Sequence, residues 1–140
     1  MSRKVTIRRE DVDRIIEHAR KWLPAEACGL VAGIDHEDGT REIKKVYLLT
    51  NVDNSNEHFT IDLKEHLAAI KDMRAEGLNP LGNWHSHPES PSRSSEEDIR
   101  LAVDKKASYL ILSLMNPDEP DLNSFHVENG ISTKEDFEII

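Results

Sequence analysis

A chain of 140 residues is long enough for one ordinary domain and leaves little room for a second, so residues 1–140 are read as one domain. Its formal net charge of −9 disfavours a phosphate backbone as partner, so no nucleic acid is expected. The single cysteine excludes an internal disulfide, and no apolar run reaches the roughly 18 residues that a membrane span needs.

The opening residues Met1 to Val5 lack the apolar run of a secretion signal, so the default location is the cytoplasm. From Glu10 to Trp22, Val12, Ile15, Ile16 and Ala19 recur at helical spacing, with acids early and Arg20 and Lys21 late. Pro24 ends that helix. Cys28 to Gly33 is short and apolar and reads as a buried strand, and Asp35 to Thr40 is a turn. Ile43 to Leu49 then returns as a hairpin partner. After a polar loop, His58 to Ile61 reads as a short strand. Asp62 suits an N-cap with Glu65 three residues on, and Leu63, Leu67, Ile70 and Met73 predict one apolar face for the next helix. Gly77 stands where a C-terminal cap belongs. Leu81 to His85 predicts a central strand ended by Pro88. A loop to Ser94, a helix from Ser95 to about Lys105, and strands at Tyr109–Leu114 and Leu122–Val127 complete the pattern. Strands and helices alternate, so the expected fold is α/β with a mixed sheet.

Chemistry concentrates in Trp84-His85-Ser86-His87-Pro88. Two histidines at i and i+2 on a strand point to one face, close enough to share an ion. Six loop residues after Pro88 lead to Ser95-Glu96-Glu97-Asp98, which opens a helix whose first-turn carboxylate can reach back over the imidazoles. Two histidines and a carboxylate are a donor set for catalytic zinc, with the fourth position left to water. Residual positive charge at such a site lowers the pKa of the water and polarises a carbonyl. Ser-x-x-Asp is also close to a capping box, and the two readings are compatible, since a cap fixes the first turn while Asp98 remains free to bind metal. Such a site also needs a proton shuttle, and a glutamate outside the ligand set is the usual solution.

At these residues the chain resembles the JAMM family, also called MPN-plus or Mov34/JAB1 metallopeptidases. His85, His87, Pro88, Ser95 and Asp98 match its motif, and Glu26 precedes Cys28-Gly29-Leu30 as the family's early glutamate does. The resemblance extends through Phe59-Thr60-Ile61-Asp62 and Tyr109 to Ser113. It implies a curved mixed sheet flanked by helices, similar to cytidine deaminases. It also implies Zn2+ on His85, His87 and Asp98, with Glu26 as proton shuttle and Ser95 as donor to the oxyanion. The implied partner is a ubiquitin-like or sulfur-carrier protein with a diglycine tail. The short connections mark a minimal, prokaryotic-type core without the insertions that grip ubiquitin chains. The competing reading is a non-catalytic MPN-type binding module with a structural metal. A deaminase would need a Pro-Cys-x-x-Cys ligand pair that the chain lacks.

Elsewhere the plainer readings prevail. Cys28 is expected as a buried structural thiol, and Trp22 and Trp84 as core. His18, His36, His58, His66 and His126 suit surface or hydrogen-bonded positions. Glu89 and Arg93 suit a solvated loop, and Glu96-Glu97 complements the helix dipole.

Overall fold

In the computed structural model, which describes residues 3–140, a single eight-stranded sheet carries helices on its two faces. In chain order the elements are β1 (Lys4–Ile7), α1 (Arg9–Trp22), β2 (Cys28–Asp35), β3 (Thr40–Leu49), α2 (Leu63–Ala75), β4 (Asn79–His87), α3 (Glu96–Leu101), β5 (Ser108–Ser113), β6 (Asp121–Glu128), β7 (Ile131–Lys134) and β8 (Asp136–Ile139). The strand order is β7-β6-β5-β4-β2-β3-β1-β8. The β2–β3 and β2–β4 pairs are antiparallel, whereas β4–β5 and β1–β3 are parallel, so the sheet is mixed as expected.

The two outermost strands, β7 and β8, follow one another directly in the chain. Glu135 sits between them, its N–H donating to the Ser124 carbonyl and its carboxylate accepting from Ser124 Oγ at 2.6 Å and Arg3 Nε at 2.9 Å. The chain thus passes from one edge of the sheet to the other, and the sheet curls until it is nearly closed.

Apolar residues divide between the two faces. Val12, Ile15 and Ala19 of α1 pack with Val31, Ile43, Trp84, Leu110 and Leu112 in the larger cluster. On the other face, Ala69 and Met73 of α2 cover Leu30, Ala32 and Leu49.

Several expectations change. β1, β7 and β8 were not anticipated, because four-residue strands with mixed polarity carry little period and are held by their partners. His58–Ile61 is not a strand; only Ile61 forms a bridge, to Asn51, and the rest is loop. The helix α2 starts as expected, with the Asp62 side chain accepting from the Glu65 N–H at 3.0 Å, and ends before Gly77 at φ +70°. Its buried side chains are Ala69 and Met73, however, while Leu63 and Leu67 are 69 % and 55 % exposed, because the sheet meets only the later turns. Helix α3 stops at Leu101 rather than near Lys105: Asp104 Oδ1 accepts the Lys106 N–H at 2.9 Å and Tyr109 Oη bonds the Asp104 backbone, both competing with helical hydrogen bonds.

Candidate metal centre

β4 is interior to the sheet, between β2 and β5, so its backbone is paired on both sides and its side chains have little freedom. His85 and His87 project from the same face, 3 % and 4 % exposed. Their Nε2 atoms lie 3.1 Å apart. After Pro88 the chain loops to Ser95, which caps α3: Ser95 Oγ accepts the Asp98 N–H, and Asp98 Oδ2 accepts the Ser95 N–H, each at 3.0 Å. This reciprocal cap turns the Asp98 carboxylate back onto the imidazoles. Oδ1 lies 3.2 Å from His85 Nε2 and Oδ2 lies 3.0 Å from His87 Nε2. One potential ligand atom from each of the three residues falls within 4.8 Å of the others.

The donor set fits a zinc ion. Ligands about 2.0–2.1 Å from a tetrahedral centre stand roughly 3.3–3.4 Å from one another, close to the separations of 3.0 to 3.2 Å found between these three side chains. His87 is prepared for this role: its Nδ1–H donates to the Pro91 carbonyl at 2.9 Å, which leaves Nε2 to face the carboxylate and its fellow imidazole. His85 has no such support, since its buried Nδ1 has no hydrogen-bond partner among the described residues. Instead, the Phe59 ring stacks on it with centroids 4.7 Å apart.

Charge in the cluster is polarised. Burial pulls the His85 imidazole below its ordinary value despite the Asp98 carboxylate. Burial acts the same way on His87, yet hydrogen bonds with Asp98 and the Pro91 carbonyl outweigh it and raise that imidazole. Burial alone would raise Asp98, but the two imidazoles hold its carboxyl well below the usual carboxylate range.

Glu26 lies just before β2, 5 % exposed. Burial pushes its carboxyl up to about 8, opposed by the charge of His87 and reinforced by those of Asp98 and Glu97. A cavity of about 70 Å³ joins Glu26, Phe59, His85 and Asp98 over a floor containing Ile111 and Val127. A neighbouring open cleft brings Glu26 and His87 together with Ser95. Glu26 thus lines both spaces, beside His85 and Asp98 in the first and beside His87 and Ser95 in the second.

Other expectations find their places. Trp84 is fully buried; Trp22 is partly buried against the same cluster. Cys28 is buried. His58 is exposed and pairs with Glu97 at 3.1 Å across the mouth of the cavity, so Glu97 does more than offset a dipole. Glu89 lines a separate groove with Leu23 and Met115, away from the cluster. The sequence reading missed the stacking role of Phe59 and the Pro91 carbonyl. Phe59 stood in the recognised Phe-Thr-Ile-Asp segment, whereas a backbone acceptor leaves no residue-type signal.

The family model described as prokaryotic homologs of the JAB domain matches residues 8–128. The chain is 28 % identical to the CysO-cysteine peptidase of Mycobacterium tuberculosis over 136 residues, covering 97 % of this chain and 91 % of that one. It is 28 % identical to the desampylase of Haloferax volcanii over 117 residues, 80 % of this chain and 82 % of that one. The solution structure of protein DSY2949 from Desulfitobacterium hafniense has a TM-score of 0.88 and 43 % identity, covering 97 % of this chain and 92 % of that one.

Proposed function

From the premise that the chain belongs to the prokaryotic JAB family of JAMM-type proteins, we propose that it is a zinc-dependent peptidase or isopeptidase built as one catalytic domain over residues 1–140. Its substrate is a peptide or isopeptide bond at the C-terminal diglycine tail of a ubiquitin-like or sulfur-carrier protein. The observation that carries this reading is the meeting of three ligand atoms with a buried glutamate that is not among them. Support for the substrate comes from the relatives, one by name a CysO-cysteine peptidase and the other a desampylase.

His85, His87 and Asp98 hold the ion. When bound, zinc supplies Lewis acidity, lowering the pKa of water and polarising the scissile carbonyl. Among the described residues the cluster offers three protein ligands, whereas a purely structural site fills all four positions with protein groups. Glu26 accepts a proton from the attacking water and returns it to the leaving amine. In the metal-free chain burial raises this carboxyl to about 8; a bound cation would draw it back towards the carboxylate, the form that takes a proton near neutral pH. The Ser95 hydroxyl oxygen already accepts the Asp98 N–H, so its own O–H is free to donate to the oxyanion. Phe59, Ile111 and Val127 line the cavity and limit its water.

The test couples metal analysis with turnover. A ubiquitin-like protein ending in Gly-Gly and extended by one amino acid is offered to the wild type and to Glu26→Gln. Expected are one zinc per chain, loss of turnover on chelation, and a drop of roughly 10²–10⁴-fold for Glu26→Gln. Equal turnover by the two proteins, or turnover that survives chelation, would overturn the reading.

A further inference from the structure

The loop between β3 and α2 contains the asparagine Asn51, 2 % exposed, which uses its whole hydrogen-bonding capacity. Its Nδ2 donates to the Glu26 carbonyl and to the His58 carbonyl, each at 3.0 Å. Its Oδ1 accepts from the Asp53 N–H at 3.0 Å and the Thr60 N–H at 3.1 Å. Two of these bonds flank Phe59, one on the residue before it and one on the residue after. A third reaches the backbone of Glu26. The same loop holds Glu26 from its other side, where the Ser55 carbonyl accepts the Glu26 N–H at 2.7 Å.

Phe59 in turn is the ring stacked on His85, at an interplanar angle of 22°. Since His85 Nδ1 has no hydrogen-bond partner among the described residues, this stack takes the place of the polar contact that orients His87. One amide therefore touches the backbone of the glutamate and the backbone on both sides of the aromatic ring that sets a ligand histidine.

We propose that Asn51 is a positioning residue that fixes the separation between the Glu26 carboxyl and the His85 imidazole, acting on the first through its carbonyl and on the second through Phe59. The inference rests on the reading of Glu26 as proton shuttle and His85 as metal ligand. Asn51 reaches neither substrate nor metal itself. A general base displaced by an ångström loses roughly 10²-fold in rate, so the effect belongs in kcat.

Asn51→Asp keeps both acceptor bonds, to Asp53 and Thr60, but has no N–H for Glu26 or His58. It separates a device that positions Glu26 from one that only ties a loop. Steady-state kinetics on the tail-extended substrate are compared for wild type, Asn51→Asp and Asn51→Ala, together with the visible absorption spectrum of each cobalt-loaded protein. Both variants are expected to lose about 10²-fold in kcat with KM within about threefold of wild type. If Asn51→Ala fails to fold, Phe59→Leu decides the histidine arm, because Phe59 is only half-buried; its cobalt spectrum is expected to differ from wild type. Wild-type kcat in Asn51→Asp, a loss confined to KM, or an unchanged cobalt spectrum in Phe59→Leu would each overturn the proposal. The spectrum reads ligand orientation without turnover, so a wild type that binds cobalt but cleaves nothing would count against the enzyme reading and leave the positioning claim to the spectrum.

Discussion

Neighbouring residues on β4 belong to different worlds. Trp84 points into the larger cluster, fully buried, its Nε1–H donating to the Tyr47 carbonyl at 3.0 Å. His85 points the other way, into the cavity with Asp98 and Phe59. The first face is apolar, closed and supported by α1; the second is polar, opens to solvent and is covered by α2 for only part of its length. Gly29, opposite Trp84 on β2, shows how strict the first face is: a Cβ there would overlap the indole and the Tyr47 carbonyl. Packing on one face holds the strand that aims His85 and His87 from the other. Side chains on the packed face should therefore govern stability, and those on the open face chemistry.

The sharpest way to break this division is to replace the two neighbours one at a time. Trp84→Ala is expected to destabilise the fold by about 3–5 kcal/mol in chemical denaturation, the cost of emptying a closed aromatic site. His85→Ala should abolish zinc retention while shifting stability, measured without metal, by no more than about 1.5 kcal/mol, because it opens onto an existing cavity and removes an unpartnered nitrogen. Similar losses from both would erase the distinction between the faces.

Glu26 tests whether the open face costs stability. Its carboxyl titrates near 4.5 when unfolded and at about 8 in the fold, so between those values the folded chain holds the extra proton. Stability accordingly falls as pH rises through that window, and the loss is complete above about 8. For the chain without metal, Glu26→Gln is expected to recover on the order of 2–4 kcal/mol at pH 9 and to change little at pH 4.5. Equal effects at the two pH values would show that the carboxyl is not buried as described.

Ser95 caps α3 and, in the proposed reading, also donates to the oxyanion. Ser95→Ala is expected to lower kcat by roughly 10²-fold through the missing oxyanion contact and stability by about 1 kcal/mol through the missing cap. Ser95→Asp separates the two, since it can restore the cap but cannot donate. Recovery of kcat along with stability in Ser95→Asp would assign Ser95 to the cap alone.

The same division explains what could be read from the residue string. A period of two places His85 and His87 on one face whatever the sheet around them, and the reciprocal cap of Ser95 and Asp98 is a local device, so both were legible. The strand expected at Tyr109–Leu114 was legible for its continuous apolar run, and β5 covers Ser108–Ser113. What escaped depends on partners remote in sequence. β1 and β8 are held chiefly by each other and by β3, and α2 buries Ala69 and Met73 rather than its leucines because of where the sheet ends. The stack of Phe59 on His85 joins residues that no spacing rule relates.

Cys28 offers the smallest effect and the finest test of the open face. It pairs directly with His85 across β2 and β4, which in an antiparallel pair puts the thiol on the histidine's side of the sheet. A thiol there could be mistaken for a ligand or a nucleophile. Burial, with the nearby charges of Glu65, Glu26 and Asp53, pushes it up to about 12, against 9.0 for an unperturbed thiol, so its thiolate fraction at pH 8 is lower by roughly 10³-fold. Alkylation by iodoacetamide in the folded protein should therefore run at least about 10³-fold slower than in guanidinium chloride. Cys28→Ala should keep zinc content and turnover within about twofold, since no step uses sulfur. Rapid alkylation, or zinc lost with the thiol, would mean that β2 contributes to the metal centre and that the chemistry of the open face reaches beyond β4 and α3.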